Sequence, residues 1–335
     1  MNCYLYGIIE FNEERTFGPI GFEMPNQQKT SVMALPFEDL AVVVGPTPHE
    51  HFDGLRKEIL IQSLLSHQQT LETIMKVRFV LPFKFGTVLK DKKEMSTLLS
   101  QNHPFLLEWF HKMKNRCEME VVATWDTQTV LKEMAERDPQ IAEWKKNFQA
   151  LSGPEQEKEK LSLGKYLSEK LKKQAARCAE EILTALKGLS ESWATHELMN
   201  DQMVFNASFL LTRGGEELFS KTLEDLDKRL EGKLNFRCVG PLPPYSFATV
   251  TIKRFDPKQI HQAQEKLGLK SFVDPGQVKK AYKKMASQCH PDTHPKADGK
   301  EFESLQQAYE LLTSYCKGGC KPIRVSLSSI SGETL

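Results

Sequence analysis

The sequence predicts an α+β chain made of two mixed units and an all-α C-terminal hairpin. Three observations carry that expectation. Short β-branched or aromatic runs alternate with helix-period segments over residues 1–125. A long charged stretch with a single apolar stripe then interrupts the alternation before it resumes, and from Phe255 onward the punctuation is that of helices. At 335 residues and 38.3 kDa the chain exceeds one average domain. Its 40 % apolar and 27 % charged residues are those of packed cores rather than of a disordered chain. Lys and Arg total 45 against 44 Asp and Glu, a net charge of +1. Such balance supplies no global field toward nucleic acid or anionic lipid, so any partner held by charge must be met locally.

Residues 4–10 (YLYGIIE) read as a strand, and residues 40–44 (LAVVV), closed by Gly45 and Pro46, as a strand buried on both faces. Leu55, Ile59, Leu64, Leu71, Ile74 and Met75 fall at helical spacing within residues 52–76. Residues 77–89 (VRFVLPFKFGTVL) are strand-like but broken by Pro82 and Gly86, which predicts an edge position or a bulge. A second helix over 92–114 and a strand over 118–124 (EMEVVAT) complete a β-β-α-β-α-β order. That order predicts a ferredoxin-like domain over 1–125, with its helices on one sheet face.

A second domain is expected over 126–255, opening with a helical arm. There Leu167, Leu171, Ala175, Cys178, Ile182, Leu186, Leu189 and Trp193 step by three or four residues, one stripe on a charged helix. The stripe reads either as a structural arm packed on its neighbour or as a partner-binding helix. Residues 203–212 read as a strand and 216–230 as a helix with Leu218, Phe219, Leu223, Leu226 and Leu230 on one side. Residues 234–239 and 246–252 are further strands, separated by the stiff run GPLPPYSF.

Helix signals then run over 257–267, ended by Gly268, and over 274–289. In the second of these Asp274 is the expected N-cap, Pro275 suits the first helical position, and Gln277 has capping-box spacing. Val278, Ala281, Met285 and Cys289 share one arc; Lys279, Lys280, Lys283 and Lys284 occupy the opposite side with no acid among them. Pro291 ends this helix. A polar loop precedes a third helix over 300–316 that presents Phe302, Leu305, Ala308, Tyr309 and Leu312.

In order and separation, YLYGIIE, LPFKFGTVL and GPLPPYSF resemble the gas vesicle protein F/L (GvpF/GvpL) family over residues 1–255. The resemblance implies a non-enzymatic role in building gas vesicles, with the hydrophobic shell subunit and other gas vesicle accessory proteins as partners. A subunit bound for a β-rich shell exposes apolar surface and strand edges in transit, which a partner's own edge or helices can cover.

Separately, LGL at 267–269, VKKAYKKMASQCHPD at 278–292 and FESLQQAYELL at 302–312 resemble a DnaJ-type J domain over 256–320, followed by a tail over 321–335. This implies docking to a DnaK-type chaperone and stimulation of its ATP hydrolysis. His290, Pro291 and Asp292 are then the signalling motif, and Tyr282, Lys279, Lys283 and Lys284 the docking face. The sequence departs from the J-domain pattern at Ala263 and Gln264, where an aromatic is usual, and at Cys289, before the histidine.

Other constellations are incomplete. His290 and His294 are separated by helix-breaking Pro291, and Cys316 and Cys320 have no second pair to finish a zinc site, so they read as a thiol pair at a helix end. His196-Glu197 lacks the second zincin histidine, and Arg213-Gly214-Gly215 lacks the rest of a P-loop. No catalytic site, metal or cofactor is expected. Seven scattered cysteines form no disulfide framework, no run reaches membrane-span length, and no secretory leader is expected, so the expected location is the cytoplasm, to which the resemblance adds the gas vesicle. The expected function is an assembly factor that binds the shell subunit, limits its aggregation and recruits the chaperone. The alternative is a minor structural component of the vesicle whose J-like tail has no co-chaperone activity.

Overall fold

The computed structural model describes residues 2–24, 28–148, 152–269, 274–289, 299–317, 319–321 and 323–329. The first sheet is built from β1 (Cys3–Glu10), β2 (Arg15–Gly18), β3 (Val32–Phe37), β4 (Leu40–Pro46) and the two-residue strands β5 (Leu81–Pro82) and β6 (Val88–Leu89). Its order is β2-β3-β4-β1-β5, with β6 also on β1, and every pairing is antiparallel. The interruption expected at Pro82 and Gly86 is there: a turn separates β5 from β6.

Helices α1 (Lys57–Met75) and α2 (Lys92–Met113) lie on opposite faces of this sheet, not on one as expected. Leu71, Ile74 and Met75 of α1 pack with Tyr4, Tyr6 and Val43, whereas Leu98, Leu106 and Phe110 of α2 pack with Leu5, Ile8 and Val42. Cover on both sides explains why β1 and β4 read as unbroken apolar runs, since neither face meets water. Gly7 sits at a register shift in β1, where a Cβ would lie 2.4 Å from Val80 Cγ2; only glycine lets the chain pass there.

The strand expected to complete the first unit, β7 (Arg116–Thr124), belongs instead to a second sheet. It is followed by α3 (Thr127–Arg137), α4 (Pro139–Phe148), α5 (Pro154–Lys187), β8 (Ser192–Thr195), β9 (Met203–Thr212), α6 (Glu216–Arg229) and β10 (Asn235–Leu242). The sheet order is β10-β7-β9-β8, with every pairing antiparallel. The reason is in the strand itself. Cys117, Met119, Val121 and Ala123 alternate with Glu118, Glu120 and Val122, and that apolar half finds its cover in α5 and α6, through Ile182, Leu186, Phe219 and Leu223.

Along α5 the stripe holds where it meets the body: Ile182 and Leu186 are buried, and Leu171, Ala175 and Cys178 are partly so. Trp193 is not part of it, because the helix ends at Lys187 and Trp193 lies in β8. Leu218, expected on the buried side of α6, is exposed.

After the second sheet, β11 (Thr249–Arg254) leads into α7 (Pro257–Lys266), α8 (Pro275–Cys289) and α9 (Gly299–Lys317). These helices have a core of their own around Ile260, Val278, Leu305 and Leu312. The tail expected over 321–335 carries a strand, β12 (Ile323–Ser328), which pairs antiparallel with β11 from Thr249↔Ser328 to Arg254↔Ile323.

His67 of α1 is buried between Tyr4 and Tyr6. Gly86 N donates to Tyr4 Oη at 3.0 Å, and the same hydroxyl oxygen lies 2.9 Å from His67 Nδ1. Burial pushes this imidazole down to about 3. A folded value below the unfolded one means stability is complete above the unfolded pKa and is lost as pH falls toward the folded value. Denaturant titrations at pH 7.5 and 5 are expected to show a loss from this group of about 2 kcal/mol, absent in His67→Gln. Equal slopes in both proteins would contradict it.

Candidate functional site

The start of α8 is fixed by a reciprocal cap. Asp274 Oδ1 accepts from Gly276 N at 2.7 Å and Gln277 N at 3.1 Å, while Gln277 Oε1 accepts from Asp274 N at 3.4 Å. With the register set there, Val278 is buried against α9, and Ala281 and Met285 pack beside it. At 100° per residue the opposite side must then carry Lys279, Lys280, Lys283 and Lys284, and all four are exposed. None of these lysines enters an ion pair with an acid among the described residues. The result is a local concentration of positive charge on a chain that is almost neutral overall.

Tyr282 borders this face on the Lys279 side. Its ring stacks on Tyr309 of α9, with centroids 4.3 Å apart and planes at 21°, so one ring face is held in the helix–helix contact. The structure therefore groups Lys279, Lys283 and Lys284 on the exposed side of α8 and places Tyr282 at the border of that side with α9. His290, Pro291 and Asp292 lie outside the described residues. At the two points of departure in α7, Ala263 is buried beside Ile260 and Leu267, and Gln264 is half-buried. The aromatic filling comes from outside the helix, where Phe255 packs on Tyr315 with centroids 5.2 Å apart. Cys316 is buried at the end of α9, and burial together with the neighbouring Cys320 thiol pushes its pKa up to about 11.

A second constellation was not legible as a site. The three segments singled out in the sequence meet between the two sheets. Phe83 N donates to Tyr6 O at 2.9 Å, and Lys84 N to Val250 O at 2.8 Å. Ser246 donates twice to Glu118, from N to Oε2 and from Oγ to Oε1, each at 2.7 Å. Ser208 Oγ lies 3.1 Å from Ser246 Oγ and 2.8 Å from His196 Nε2, extending the chain of polar contacts to the edge of the sheet. Burial raises the Glu118 carboxyl to about 6 against the lowering effect of its Ser246 bonds. The network opens on a cleft of about 370 Å³ lined by Leu64, Phe85, Glu118, Glu120 and Tyr245. Beside it Leu60, Ile61, Leu64 and Leu65 of α1 are exposed, although the helical spacing had placed Leu64 inward. The one signal for Glu118 was a carboxylate among alternating apolar residues in EMEVVAT, which names a face but not what covers it.

Comparison with known proteins places both regions. Residues 2–249 match the family model of the gas vesicle synthesis protein GvpL/GvpF, and residues 264–317 match that of the DnaJ domain. The chain is 27 % identical over 195 residues to gas vesicle protein F of Nostoc sp., an alignment that spans 57 % of this chain and 78 % of that protein. It is 36 % identical over 84 residues to DnaJ homolog 1, mitochondrial, of Saccharomyces cerevisiae, covering 24 % of this chain and 16 % of that one. The crystal structure of the gas vesicle protein GvpF from Anabaena sp. PCC7120 has the same fold. Its TM-score is 0.61 at 23 % identity, over 73 % of this chain and 97 % of that one. With most of its length in the first match and its lysine-faced helices in the second, the chain belongs to the GvpL/GvpF family and carries a C-terminal DnaJ domain.

Proposed function

We propose that this protein is a gas vesicle accessory factor that binds the hydrophobic shell subunit, limits its aggregation and recruits a DnaK-type chaperone through its J domain. The observation that carries the reading is the exposed lysine face of α8, directly ahead of His290-Pro291-Asp292, on a chain of the GvpL/GvpF family. Lysines without acidic neighbours steer an acidic partner surface into register, and they do so over about a Debye length. Asp292 offers a carboxylate for a charge-assisted bond to a partner arginine. The role is that of a binding protein rather than an enzyme, exercised in the cytoplasm and at the gas vesicle. No described helix is long and apolar enough to cross a membrane.

Client binding falls to the front of the chain. The exposed row Leu60, Ile61, Leu64 and Leu65, and the outer strands of the two sheets, supply the two kinds of surface that an aggregation-prone β-rich subunit needs covered. A second reading is a structural component of the vesicle whose J domain is silent. It is favoured by the pairing of β11 with β12, which ties the helices to the body at both ends.

Added to a DnaK-type chaperone, the full chain is expected to raise single-turnover ATP hydrolysis, and His290→Gln to abolish the rise. Changing Lys279, Lys280, Lys283 and Lys284 to Glu is expected to raise the half-maximal concentration about tenfold or more, a shift of about 1.4 kcal/mol. No stimulation by the wild type would leave the structural reading.

In a sedimentation assay the full chain is expected to keep the shell subunit in the supernatant, and His290→Gln to do so equally well. Loss of retention in that variant would move client binding to the J domain.

A further inference from the structure

The stretch between the two family matches and the stretch after the second are paired with each other. The GvpL/GvpF match ends at 249 and the DnaJ match spans 264–317, so β11 and β12 lie almost wholly outside both. Together they form a two-stranded ribbon with six residue pairs in unbroken register. We propose that this ribbon is a strap, made from the linker before the J domain and the tail after it, that fixes the lysine face of α8 in one direction relative to the first sheet.

The ribbon is fastened on both sides. Toward the body, Val250 and Val325 are buried in the core that α2 shares with the first sheet, and Val250 bridges to Phe83. Arg254 reaches back to Glu94 of α2, Nε to Oε1 at 2.6 Å, and to Val88 O at 2.5 Å. Lys321 Nζ donates to Gln101 O of α2 at 2.8 Å. Toward the helices, Lys253 Nζ donates to Ser314 Oγ at 3.0 Å, and Arg324 Nη1 to Ser314 O at 3.3 Å.

A domain on one flexible linker samples a volume set by the linker's length. Here the chain enters the helices from one strand and leaves them into its hydrogen-bonded neighbour. The entry and exit points therefore cannot move apart unless the ribbon opens, and opening it would expose Val250 and Val325 to water. The partner this geometry suits is a large protein that must meet the J domain and a client on the body at once, because a fixed direction determines which side it approaches from. The inference goes beyond the proposed function, and its test needs no chaperone.

The test is a distance distribution by pulsed electron spin resonance on the full chain. Labels go on non-natural residues replacing Glu58 in α1 and Lys280 in α8, so the seven cysteines stay untouched. The wild type is expected to give one narrow distance. Val325→Asp is expected to widen the distribution about twofold or more, as for a module on a single tether, with helicity by circular dichroism retained. A double variant, Arg254→Ala with Lys321→Ala, removes only half-exposed contacts and is expected to widen it measurably; it decides the matter if Val325→Asp fails to fold. A broad wild-type distribution, or a folded Val325→Asp or double variant as narrow as the wild type, would overturn the strap.

Discussion

The path of residues 240–255 sets how the rest of the molecule is joined. Gly240 passes so close to β7 that a Cβ would lie 2.4 Å from Met119 Sδ and 2.8 Å from Glu118 O, at a φ of +154°. A few residues on, Ser246 is held by both oxygens of Glu118, and Phe247 enters the core beneath the first sheet. Val250 bridges to Phe83, Arg254 pairs with Glu94, and Phe255 closes the core of the C-terminal helices. One short passage is therefore fixed in three cores in succession. A buried carboxylate with two short bonds from one serine is a strong anchor, because leaving it unpaired would cost its desolvation penalty.

That anchor gives a physical meaning to the three segments on which the family resemblance rests. The tyrosines of YLYGIIE, the phenylalanines of LPFKFGTVL and the serine and aromatics of GPLPPYSF are not three features but three walls of one junction. Gly86 N donates to Tyr4 Oη and Phe83 N to Tyr6 O, so the first two walls share polar contacts, while Ser246 of the third is held by Glu118 of β7. Because the junction lies between two sheets, its integrity and the relative placement of the sheets are a single property.

Much of this was legible before any coordinates, and the reasons differ by element. Asp274, Pro275 and Gln277 announced a helix start because capping is local chemistry, decided within one turn. LAVVV and YLYGIIE announced buried strands because burial on both faces leaves a continuous run. Partners of strands were another matter. Residues 118–124 put Met119, Val121 and Ala123 on one face, yet that pattern says which face is apolar and not which sheet covers it, so the sequence alone joins the strand to the first unit while the structure pairs it in the second sheet. For the same reason the sequence puts α1 and α2 on one face, where the structure has them on two. The strand in the tail was missed because six residues of weak alternation after a helical unit carry no signal until their partner over 249–254 is known. The lysine face was readable in full, while the stacking of Tyr282 on Tyr309 was not, because a helical wheel shows one helix and not its neighbour.

In the proposed function the α8 face of the J domain is the surface that meets the chaperone, and client binding falls to the body. Amide hydrogen exchange of the full chain, with and without a nucleotide-bound DnaK-type chaperone, tests that most directly. Slowed exchange concentrated over residues 275–292, with the body unchanged, is the predicted result. Slowing over α1 or the sheets instead, with residues 275–292 unaffected, would contradict it.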